Sequence, residues 1–464
     1  MYKDTIVSIA TPLSESGISI IRISGPESVA IADKIFVSKS NRHFIKECKS
    51  HTINYGFIAE GDKIIDEVMV SLMLSPKSYT TEDVVEINCH GGVQITEKIL
   101  DLLIKSGARL AEPGEFTKRA FLNGRIDLSR AEAVMDLISS LNEKAGANAI
   151  AHLKGDLYNK INELMGVILH ETAFIEAALD DPEHISLEGY REKLKVIIDN
   201  LYKEISLLLS TANDGELIKN GINTVIVGKP NAGKSSLLNI LLGKERAIVT
   251  PVAGTTRDVI TETIRLKGIC LNIHDTAGIR STDDEIEKIG VEMSLKYAKD
   301  AELIIYVMDS SRELDEDDNL IFELLGNKNV IFILNKSDLS PVISGDDISS
   351  VLEKKNNLKK WDTVVTSFKD KTGIKELEEK ICKMFFSKNI EEENFLITNT
   401  RHKNALMDAL ESLDNVKKSI SLEMSEDFIS IDLYDAYASL AKIIGKNVDD
   451  DVINEVFASF CMGK

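Results

Sequence analysis

One short segment constrains the fold of this chain more than any other. Residues Gly228 to Ser235 read GKPNAGKS and match the pattern GxxxxGK[ST]. The segment follows an apolar β-type run that ends at Val227 and precedes a helical run over 236–242. Glycines let a loop backbone wrap around phosphate groups, and the amides at the start of a helix point at them. The sequence therefore predicts a phosphate-binding loop between a strand and a helix, with a simple glycine-rich turn as the alternative.

Two further motifs each follow a predicted strand of the same region. In the first motif, Lys234 is expected to reach the β- and γ-phosphates and the Ser235 hydroxyl to ligate Mg²⁺. The second motif, Asp275-Thr276-Ala277-Gly278, offers an acid for Mg²⁺ and an amide for the γ-phosphate. The third, Asn335-Lys336-Ser337-Asp338, offers a carboxylate at Asp338 to the two N–H groups of a guanine edge. A solvated loop is the alternative for the third motif alone, but three motifs in order favour one nucleotide site at the strand ends of a sheet.

The chain divides into segments of different texture. Residues 222 to about 380 alternate β-type runs with helical stretches, as a mostly parallel sheet with crossover helices requires, at 224–227, 271–274, 303–308, 330–334 and 363–366. An N-terminal segment mixes helical and β-type runs, the latter at 18–23, 68–74 and 84–87. The remainder has helical spacing of apolar residues. We therefore predict a multidomain α/β plus all-α chain with an α/β domain over 1–118, a helical domain built from 119–215 and 387–464, and an α/β domain over 216–386 inserted into it.

Charge and cysteine content narrow the function classes. The formal net charge of −20 argues against a broad basic nucleic-acid surface. Five scattered cysteines without a CxxC pair fit a reducing compartment without disulfides or a zinc site. No uncharged apolar run approaches the ~18 residues of a membrane span, and we expect no signal peptide. Together these features predict a cytoplasmic protein.

The inserted domain resembles P-loop GTPases, with one departure. Ile279 stands where Ras-like enzymes carry the Gln that orients water, and an apolar side chain cannot do this. The Asn231 carbonyl oxygen could help hold a monovalent cation beside the phosphates. Glu287 lies about ten residues past the second motif, and on chemistry alone a solvated helix start is favoured for it over a catalytic role.

Longer motifs resemble those of the MnmE (TrmE) family of tRNA modification GTPases. They are His90-Gly91-Gly92, the run PGEFTKRAFLNG at 113–124, GTTRD at 254–258 and FCMGK at 460–464. The resemblance spans the whole chain and implies an N-terminal tetrahydrofolate-binding domain that dimerises, a discontinuous helical domain and an inserted GTPase domain. It also implies GTP hydrolysis on G-domain dimerisation across K⁺. The implied activity is addition of an aminomethyl or carboxymethylaminomethyl group to carbon 5 of the wobble uridine of certain tRNAs. The implied partners are a second copy of the chain, tRNA, and the FAD-dependent MnmG (GidA) protein in a heterotetramer.

The resemblance also assigns roles to individual residues. The catalytic role falls on Glu287, which reverses the preference stated above. The one-carbon donor, a 5,10-methylene or 5-formyl tetrahydrofolate, is expected to contact Arg22, Glu86, Arg125 and Lys464. The ion ligands implied are Asn231, Thr250, Val252 and Thr255 for K⁺, with Ser235 and Thr256 for Mg²⁺. The implied GTP-binding residues are Asn231, Ala232, Gly233, Lys234, Ser235, Ser236, Thr250, Thr255, Thr256, Asp275, Thr276, Ala277, Gly278, Asn335, Lys336, Asp338, Ser367 and Phe368.

Several positions depart from the family pattern or stay open. Arg125 stands where some members have Lys, which keeps the charge but changes the donor geometry. Phe368 lies in the expected guanine-sensing loop where Ala is usual, so its contact with the base is in question. Cys461 has two interpretations: a reactive thiol beside Lys464, or a small buried residue packed under Phe460.

Two other function classes compete with this interpretation. A ribosome-assembly GTPase resembling Era or Der would carry a basic RNA-binding flank, whereas acidic residues outnumber basic ones in residues 387–464. A membrane-remodelling or scaffold GTPase would carry a helix with a lipid-facing side and a basic polar face, and none is apparent.

Overall fold

The computed structural model describes residues 4–38, 45–244, 262–266, 268–274, 301–325, 327–355, 360–386 and 395–464. The chain forms two compact units. The first unit consists of Met1–Met135, His152–Ser186 and Glu426–Lys464, and the second of Asp136–Ala151 and Leu187–Ser425. Each unit contains one β-sheet and several helices.

The described helices are distributed along the whole chain. They are α1 (Ser28–Ile35), α2 (Val93–Lys105), α3 (Glu115–Leu122), α4 (Leu128–Ser139), α5 (Glu143–Lys154), α6 (Asp156–Asp180), α7 (Tyr190–Ser210), α8 (Ala212–Asn220), α9 (Lys234–Lys244), α10 (Glu316–Leu324), α11 (Gly345–Lys355), α12 (Ile374–Phe385), α13 (Thr400–Ser421), α14 (Glu426–Ile443) and α15 (Asp450–Ala458), with a short 3₁₀ turn at Ile45–Glu47. The helical character predicted for 119–215 and for the described part of 387–464 is confirmed. Within the described residues, no helix is both long and apolar enough to span a bilayer.

The first unit is built on a seven-stranded sheet in the order β3-β4-β5-β6-β2-β1-β7. The strands are β1 (Ile6–Ile9), β2 (Ser16–Ser24), β3 (Phe36–Val37), β4 (Thr52–Glu60), β5 (Lys63–Met73), β6 (Val84–Gly91) and β7 (Arg109–Leu110). On β6, Val85, Ile87 and Cys89 are buried in the core that α1 and α2 complete, so the side chains between them lie on the opposite face. The period-2 alternation therefore places Glu86 outside the core, on that opposite face of the sheet. The strands predicted at 18–23, 68–74 and 84–87 are confirmed, apart from Leu74.

A buried arginine joins α3 to the sheet of the first unit. The Arg119 guanidinium is fully buried. Its Nη2 donates to Asp4 Oδ1 and Glu115 Oε1, both at 2.9 Å, and its Nη1 lies 3.2 Å from Glu82 Oε1. A buried cation is tolerated only when it is paired and hydrogen-bonded in this way. The network fixes α3 beside the start of the chain.

The chain end packs on the same helix. Phe457 and Phe460 are buried together with Leu128, and their rings lie 5.1 Å apart. Gly114, at the start of α3, has φ +70°, and an added Cβ would lie 2.6 Å from the Phe457 carbonyl oxygen. This close approach brings residues 460–464 against the N-terminal sheet.

The second unit contains a six-stranded sheet in the order β13-β12-β11-β8-β10-β9. Its strands are β8 (Ile222–Gly228), β9 (Glu262–Leu266), β10 (Ile269–Ile273), β11 (Leu303–Asp309), β12 (Asn329–Asn335) and β13 (Lys360–Val365). All neighbours are parallel except β9 and β10. The five predicted strands are confirmed, apart from His274 and Thr366, which follow the ends of β10 and β13. The mostly parallel sheet is also confirmed, and the fold class is correct. The edge strand β9 was missed because its five residues contain no continuous apolar run.

Helices cover both faces of this sheet. On one face α9 and α12 contribute Leu237, Leu241 and Ile381 to the core. On the other face α10 and α11 contribute Phe322 and Ile348. With both faces covered, the central strands β11 and β12 are buried along almost their whole length. The polar motif residues therefore lie at the carboxyl edge of the sheet, directly after the strands end. The exact domain boundaries at 118, 215 and 386 stay a prediction.

Candidate functional site

The loop predicted to bind phosphate connects β8 to α9, so the expected strand–loop–helix context is present. Two glycines fix its shape, since Gly228 has φ +152° and Gly233 has φ +112°. A Cβ on Gly233 would lie 2.3 Å from Asn335 Nδ2, and one on Gly228 would lie 2.3 Å from the Val307 carbonyl oxygen. Only glycine fits both the backbone conformation and the space at these two positions.

The lysine of the GxxxxGK[ST] pattern, Lys234, lies over the loop backbone. Lys234 Nζ donates to the carbonyl oxygens of Gly228 and Lys229, both at 2.8 Å. Lys234, Ser235 and Ser236 form the first turn of α9, the end of the helix at which the macrodipole places partial positive charge. Asn231 is a non-glycine residue with φ +61° at the tip of the loop. The loop thus gathers a lysine cation and the start of a helix around one concave backbone.

A buried amide links this loop to the third motif. Asn335 Nδ2 donates to the Ala232 carbonyl oxygen at 2.9 Å, and Asn335 is only 4% exposed. Its Oδ1 accepts from the Phe368 N–H at 3.2 Å and from Thr366 Oγ1 at 3.3 Å. The side chain of Asn335 therefore holds together the phosphate loop, the end of β12 and the loop that follows β13.

The residues predicted to read the base surround Asp338. Ser367 Oγ lies 3.0 Å from Asp338 Oδ1, and Lys369 Nζ lies 3.8 Å from Asp338 Oδ2. Lys336 has φ +66°, and its Nζ donates to Asp309 Oδ2 at 2.6 Å. Burial acts to raise the pKa of Asp309, but the hydrogen bonds from Lys336 and Ser311 hold that pKa below its ordinary value. Asp309 is therefore a carboxylate that keeps the Lys336 stem in place.

The departure at Phe368 has a packing explanation. The Phe368 side chain is buried, and its ring packs against Gly233. A Cβ on Gly233 would lie 3.1 Å from the Cδ2 atom of that ring, which is closer than an ordinary van der Waals contact. The Phe368 N–H is already bonded to Asn335. The aromatic ring thus supports the phosphate loop from below, and its backbone contact with a base stays a prediction.

A second group of predicted residues lies in the first unit. Arg22 and Glu86 face each other in the register of β2 and β6, and Arg22 Nε donates to Glu86 Oε1 at 2.8 Å. Arg22 Nη1 also donates to the Gly463 carbonyl oxygen at 3.1 Å. Lys464 is next in the chain; burial lowers its pKa, and repulsion from Arg22 lowers it further. Three of the four predicted folate-contacting residues therefore meet at one place.

The fourth residue is joined to them by an aromatic ring that sequence reasoning missed. The Cζ atoms of Arg22 and Arg125 lie 5.8 and 4.9 Å from the centroid of the Tyr79 ring. Tyr79 Oη is 2.9 Å from Thr117 Oγ1, which fixes the ring. Tyr79 and Arg125 line a cavity of about 540 Å³ together with Lys77. The only signal for Tyr79 in the sequence is its place in a polar, proline-containing loop between β5 and β6.

The chain end is held against the sheet by a glycine. Gly463 has φ +87°, and a Cβ there would lie 2.5 Å from the Ile9 carbonyl oxygen. Cys461 is exposed, so the interpretation of Cys461 as a residue buried under Phe460 is wrong. The Cys461 carbonyl oxygen accepts from the Lys464 N–H at 3.3 Å. A thiol role for Cys461 stays a prediction.

The remaining predicted residues lie outside the described residues. They are the K⁺ and Mg²⁺ candidates Thr250, Val252, Thr255 and Thr256, the second motif Asp275, Thr276, Ala277 and Gly278, and the catalytic candidate Glu287. Their roles stay predictions.

Comparison with known proteins yields full-length matches. Residues 5–125 match the family described as GTP-binding protein TrmE N-terminus, and residues 128–461 match the MnmE helical domain. A tRNA modification GTPase MnmE of Lachnoclostridium phytofermentans is 55% identical over 465 residues, covering 100% of both chains. The protein of that name from Acetivibrio thermocellus is 46% identical over 468 residues, covering 100% of both chains. The one from Bacillus pumilus is 44% identical over 465 residues, covering 99% of this chain and 100% of the relative.

The geometry of Gly233 gives a direct test of the phosphate loop. We expect Gly233→Ala to weaken guanine nucleotide binding by roughly tenfold or more, because a Cβ there forces the loop away from Asn335. The measurement is a fluorescence titration with a labelled GDP. Gly243→Ala is the matched control, since Gly243 lies in the same helix-loop segment with nothing within 4 Å of an added Cβ. Equal affinity of the Gly233→Ala and wild-type proteins would contradict the assignment of this loop.

Proposed function

Because the chain belongs to the MnmE family of tRNA modification GTPases, we propose that it is a K⁺-dependent GTP hydrolase that modifies tRNA. With a flavoprotein partner, it adds an aminomethyl or carboxymethylaminomethyl group to carbon 5 of the wobble uridine, using a tetrahydrofolate one-carbon unit. The observation that carries this proposal is the junction at Asn335, which brings a phosphate-binding loop and a base-reading loop to one edge of the sheet.

The described residues of the second unit suit GTP. Lys234 lies at the mouth of the loop, from which its ammonium can exchange loop carbonyls for phosphate oxygens. We propose two hydroxyl ligands for Mg²⁺. The first is Ser235, in the first turn of α9, and the second is Thr256, which lies outside the described residues. The Asp338 carboxylate can accept from N1–H and the 2-amino group of guanine, a pair of donors that adenine lacks.

The proposed K⁺ site rests on Asn231. Asn231 adopts the left-handed conformation that favours glycine, yet it carries a polar side chain at this position of the loop. The further ligands we propose are Thr250, Val252 and Thr255. A bound K⁺ would supply positive charge beside the β- and γ-phosphates, the charge that an arginine supplies in other GTPases. We assign the orientation of the attacking water to Glu287, because Ile279 cannot perform it.

The cluster in the first unit suits a reduced folate. Arg22, Arg125 and Lys464 are three cations beside one carboxylate, Glu86, so the cluster favours an anionic ligand. The lowered pKa of Lys464 reflects burial and this unbalanced charge, and a glutamyl carboxylate would offset both. Glu86 can accept from the pterin amino group, and Tyr79 offers a flat surface for a ring. The one-carbon unit itself would be supplied by the bound 5,10-methylene or 5-formyl tetrahydrofolate.

The proposed partners follow from the family. They are a second copy of this chain, tRNA, and the FAD-dependent MnmG protein in a heterotetramer. The relatives are tRNA modification GTPases by name, which supports tRNA as the substrate. The full-length match decides against the ribosome-assembly and scaffold alternatives.

The modification activity is tested in cells. We expect wobble nucleosides of cells lacking this protein to lose the carbon-5 aminomethyl and carboxymethylaminomethyl groups, measured by mass spectrometry of digested tRNA. Re-expression of the wild-type chain should restore them, and a Lys234→Ala chain should not. Unchanged wobble nucleosides in the deletion strain would overturn the proposed tRNA modification.

Ion replacement tests the K⁺ site. We expect GTP turnover to fall by roughly tenfold or more when Na⁺ replaces K⁺ at constant ionic strength, and to recover in Rb⁺, which is similar in radius to K⁺. The measurement is phosphate release under saturating GTP. Asn231→Ala should abolish the difference between the two ions. Equal wild-type rates in K⁺ and Na⁺ would rule out a K⁺ role.

Substitution of Glu86 separates the two proposed sites. We expect Glu86→Ala to weaken 5-formyl-tetrahydrofolate binding by roughly tenfold or more, since charge-assisted hydrogen bonds are lost, while GTP hydrolysis stays nearly unchanged. Calorimetry and a GTPase assay measure the two effects. Glu60→Ala is the control, because this carboxylate pairs with Lys98, at 3.4 Å, on an exposed part of the same unit. Unaltered folate affinity in both Arg22→Ala and Glu86→Ala would remove the one-carbon half of the proposal.

A further inference from the structure

The side chain of Lys229 leaves the phosphate loop in a different direction from that of Lys234. Lys229 follows Gly228 directly, and its Nζ lies 2.5 Å from Asp315 Oδ1 and 2.6 Å from Asp318 Oδ2. Asp318 is 7% exposed at its side chain and Lys229 27%, so this ion pair is largely shielded from solvent. The ammonium of Lys229 is therefore already occupied by two carboxylates on another element.

Those carboxylates are themselves fixed. Asp315 caps α10, accepting from the Asp317 and Asp318 N–H groups, and Asp318 Oδ2 accepts from the Asp315 N–H at 3.0 Å in a capping box. Asp318 Oδ1 accepts from the Tyr306 hydroxyl at 2.5 Å. Tyr306 is fully buried on β11, where its ring contacts those of Phe322 and Phe332 edge-on. Asp318 is thus anchored in the core of the second unit, whereas Asp315, 58% exposed at its side chain, is held at the helix start by its capping hydrogen bonds.

The backbone of Lys229 contacts the functional part of the loop. Its carbonyl oxygen accepts from Lys234 Nζ at 2.8 Å and from the Ala232 N–H at 3.3 Å. Asn231, two residues on, holds a left-handed conformation that is costly for a non-glycine residue and persists only when its surroundings enforce it. A fixed Lys229 is one such enforcing contact.

We propose that Lys229 is a positioning residue for the phosphate loop, held by its ion pairs with Asp315 and Asp318. These three residues, which we call the Lys229 clamp, keep the loop backbone in the conformation that presents its amides and Lys234 to nucleotide phosphates. The inference rests on the proposed function, because it concerns the same GTP site.

The charges of the clamp support positioning over direct phosphate binding. Burial acts to lower the pKa of Lys229, but the hydrogen bonds that its ammonium donates to Asp315 and Asp318 raise that pKa above its ordinary value. Lys229 thus stays a cation, and two carboxylates neutralise it. A cation so neutralised adds little attraction for a phosphate, so its contribution must come through the loop that it fixes.

Four variants of the full-length chain test the clamp. We expect Lys229→Met to weaken both GDP and GTP binding by roughly tenfold or more, with a smaller change in the turnover rate at saturating GTP. Lys229→Arg should stay within about threefold of wild type, because Arg keeps the charge and the donors. Asp318→Asn should also weaken binding. The double variant Lys229→Met/Asp318→Asn should bind nucleotide at least as tightly as the single variant with the lower affinity, because both substitutions break the same ion pair.

Lys380→Met is the matched control. Lys380 also pairs with two carboxylates, Asp362 at 2.8 Å and Glu376 at 3.1 Å, and has a similar exposure of 24%. It lies on α12, and its bonded partners within the described part of the chain lie on β13 and α12. We expect the control to bind both nucleotides as tightly as wild type, even if the melting temperatures of the two lysine-to-methionine variants fall equally. Fluorescence titration and thermal melts supply the two readouts.

The outcomes separate the clamp from the GTP site itself. Wild-type affinity in folded Lys229→Met overturns the clamp, and so does an equal loss of affinity in Lys380→Met. Tighter nucleotide binding in Asp318→Asn would show that a freed Lys229 binds phosphate directly, which also overturns it. A wild-type chain that binds neither nucleotide would overturn the proposed function and the clamp with it.

Discussion

The buried amide of Asn335 is the contact on which the nucleotide site depends. An amide buried to this degree must satisfy both its donor and its acceptor within the protein. Asn335 does so through two separate stretches of chain: Ala232 in the phosphate loop, and Thr366 and Phe368 after β13. Moving any one of these loops would leave a buried polar group unsatisfied, which costs about 1–3 kcal/mol. One side chain thereby sets the distance between the loop proposed to bind phosphates and the loop proposed to read a base.

The same principle, cations held by carboxylates before any ligand binds, recurs at each site. Lys336 is held by Asp309 and Lys229 by Asp318, both at 2.6 Å, and Arg22 by Glu86 at 2.8 Å. Long cationic side chains lose rotamer entropy on binding, and prior pairing removes much of that cost. The pairs have different consequences, however. The Glu86 carboxylate remains beside two further cations, so that cluster keeps a net attraction for anions, whereas Lys229 is neutralised by Asp315 and Asp318.

The chain end adds a constraint of another kind. Residues 460–464 contribute a carbonyl and a lysine to the cluster around Arg22. The carbonyl belongs to Gly463, which is 441 positions from Arg22 in the sequence. Close backbone approach at Gly114 and Gly463 makes this docking feasible, since any side chain at either position would collide with a carbonyl oxygen. The cluster around Arg22 therefore exists only when the helical segment and the N-terminal sheet have folded together as one unit.

The sequence by itself determined the parallel sheet, the phosphate loop and the order of the motifs, because these depend on local periodicity and on short runs of glycine and lysine. Val225–Val227 followed by GKPNAGKS specifies strand, loop and helix within about twenty residues. Tertiary structure alone decided which polar side chains meet. Lys229 finds Asp318 across 89 residues and Arg22 finds Glu86 across 64, and no local pattern records such pairs. Tyr79 and the packing of Phe368 under the phosphate loop belong to the same class. They were missed or left open because an aromatic ring in a loop has the same local sequence whether it faces solvent or lies between two arginines.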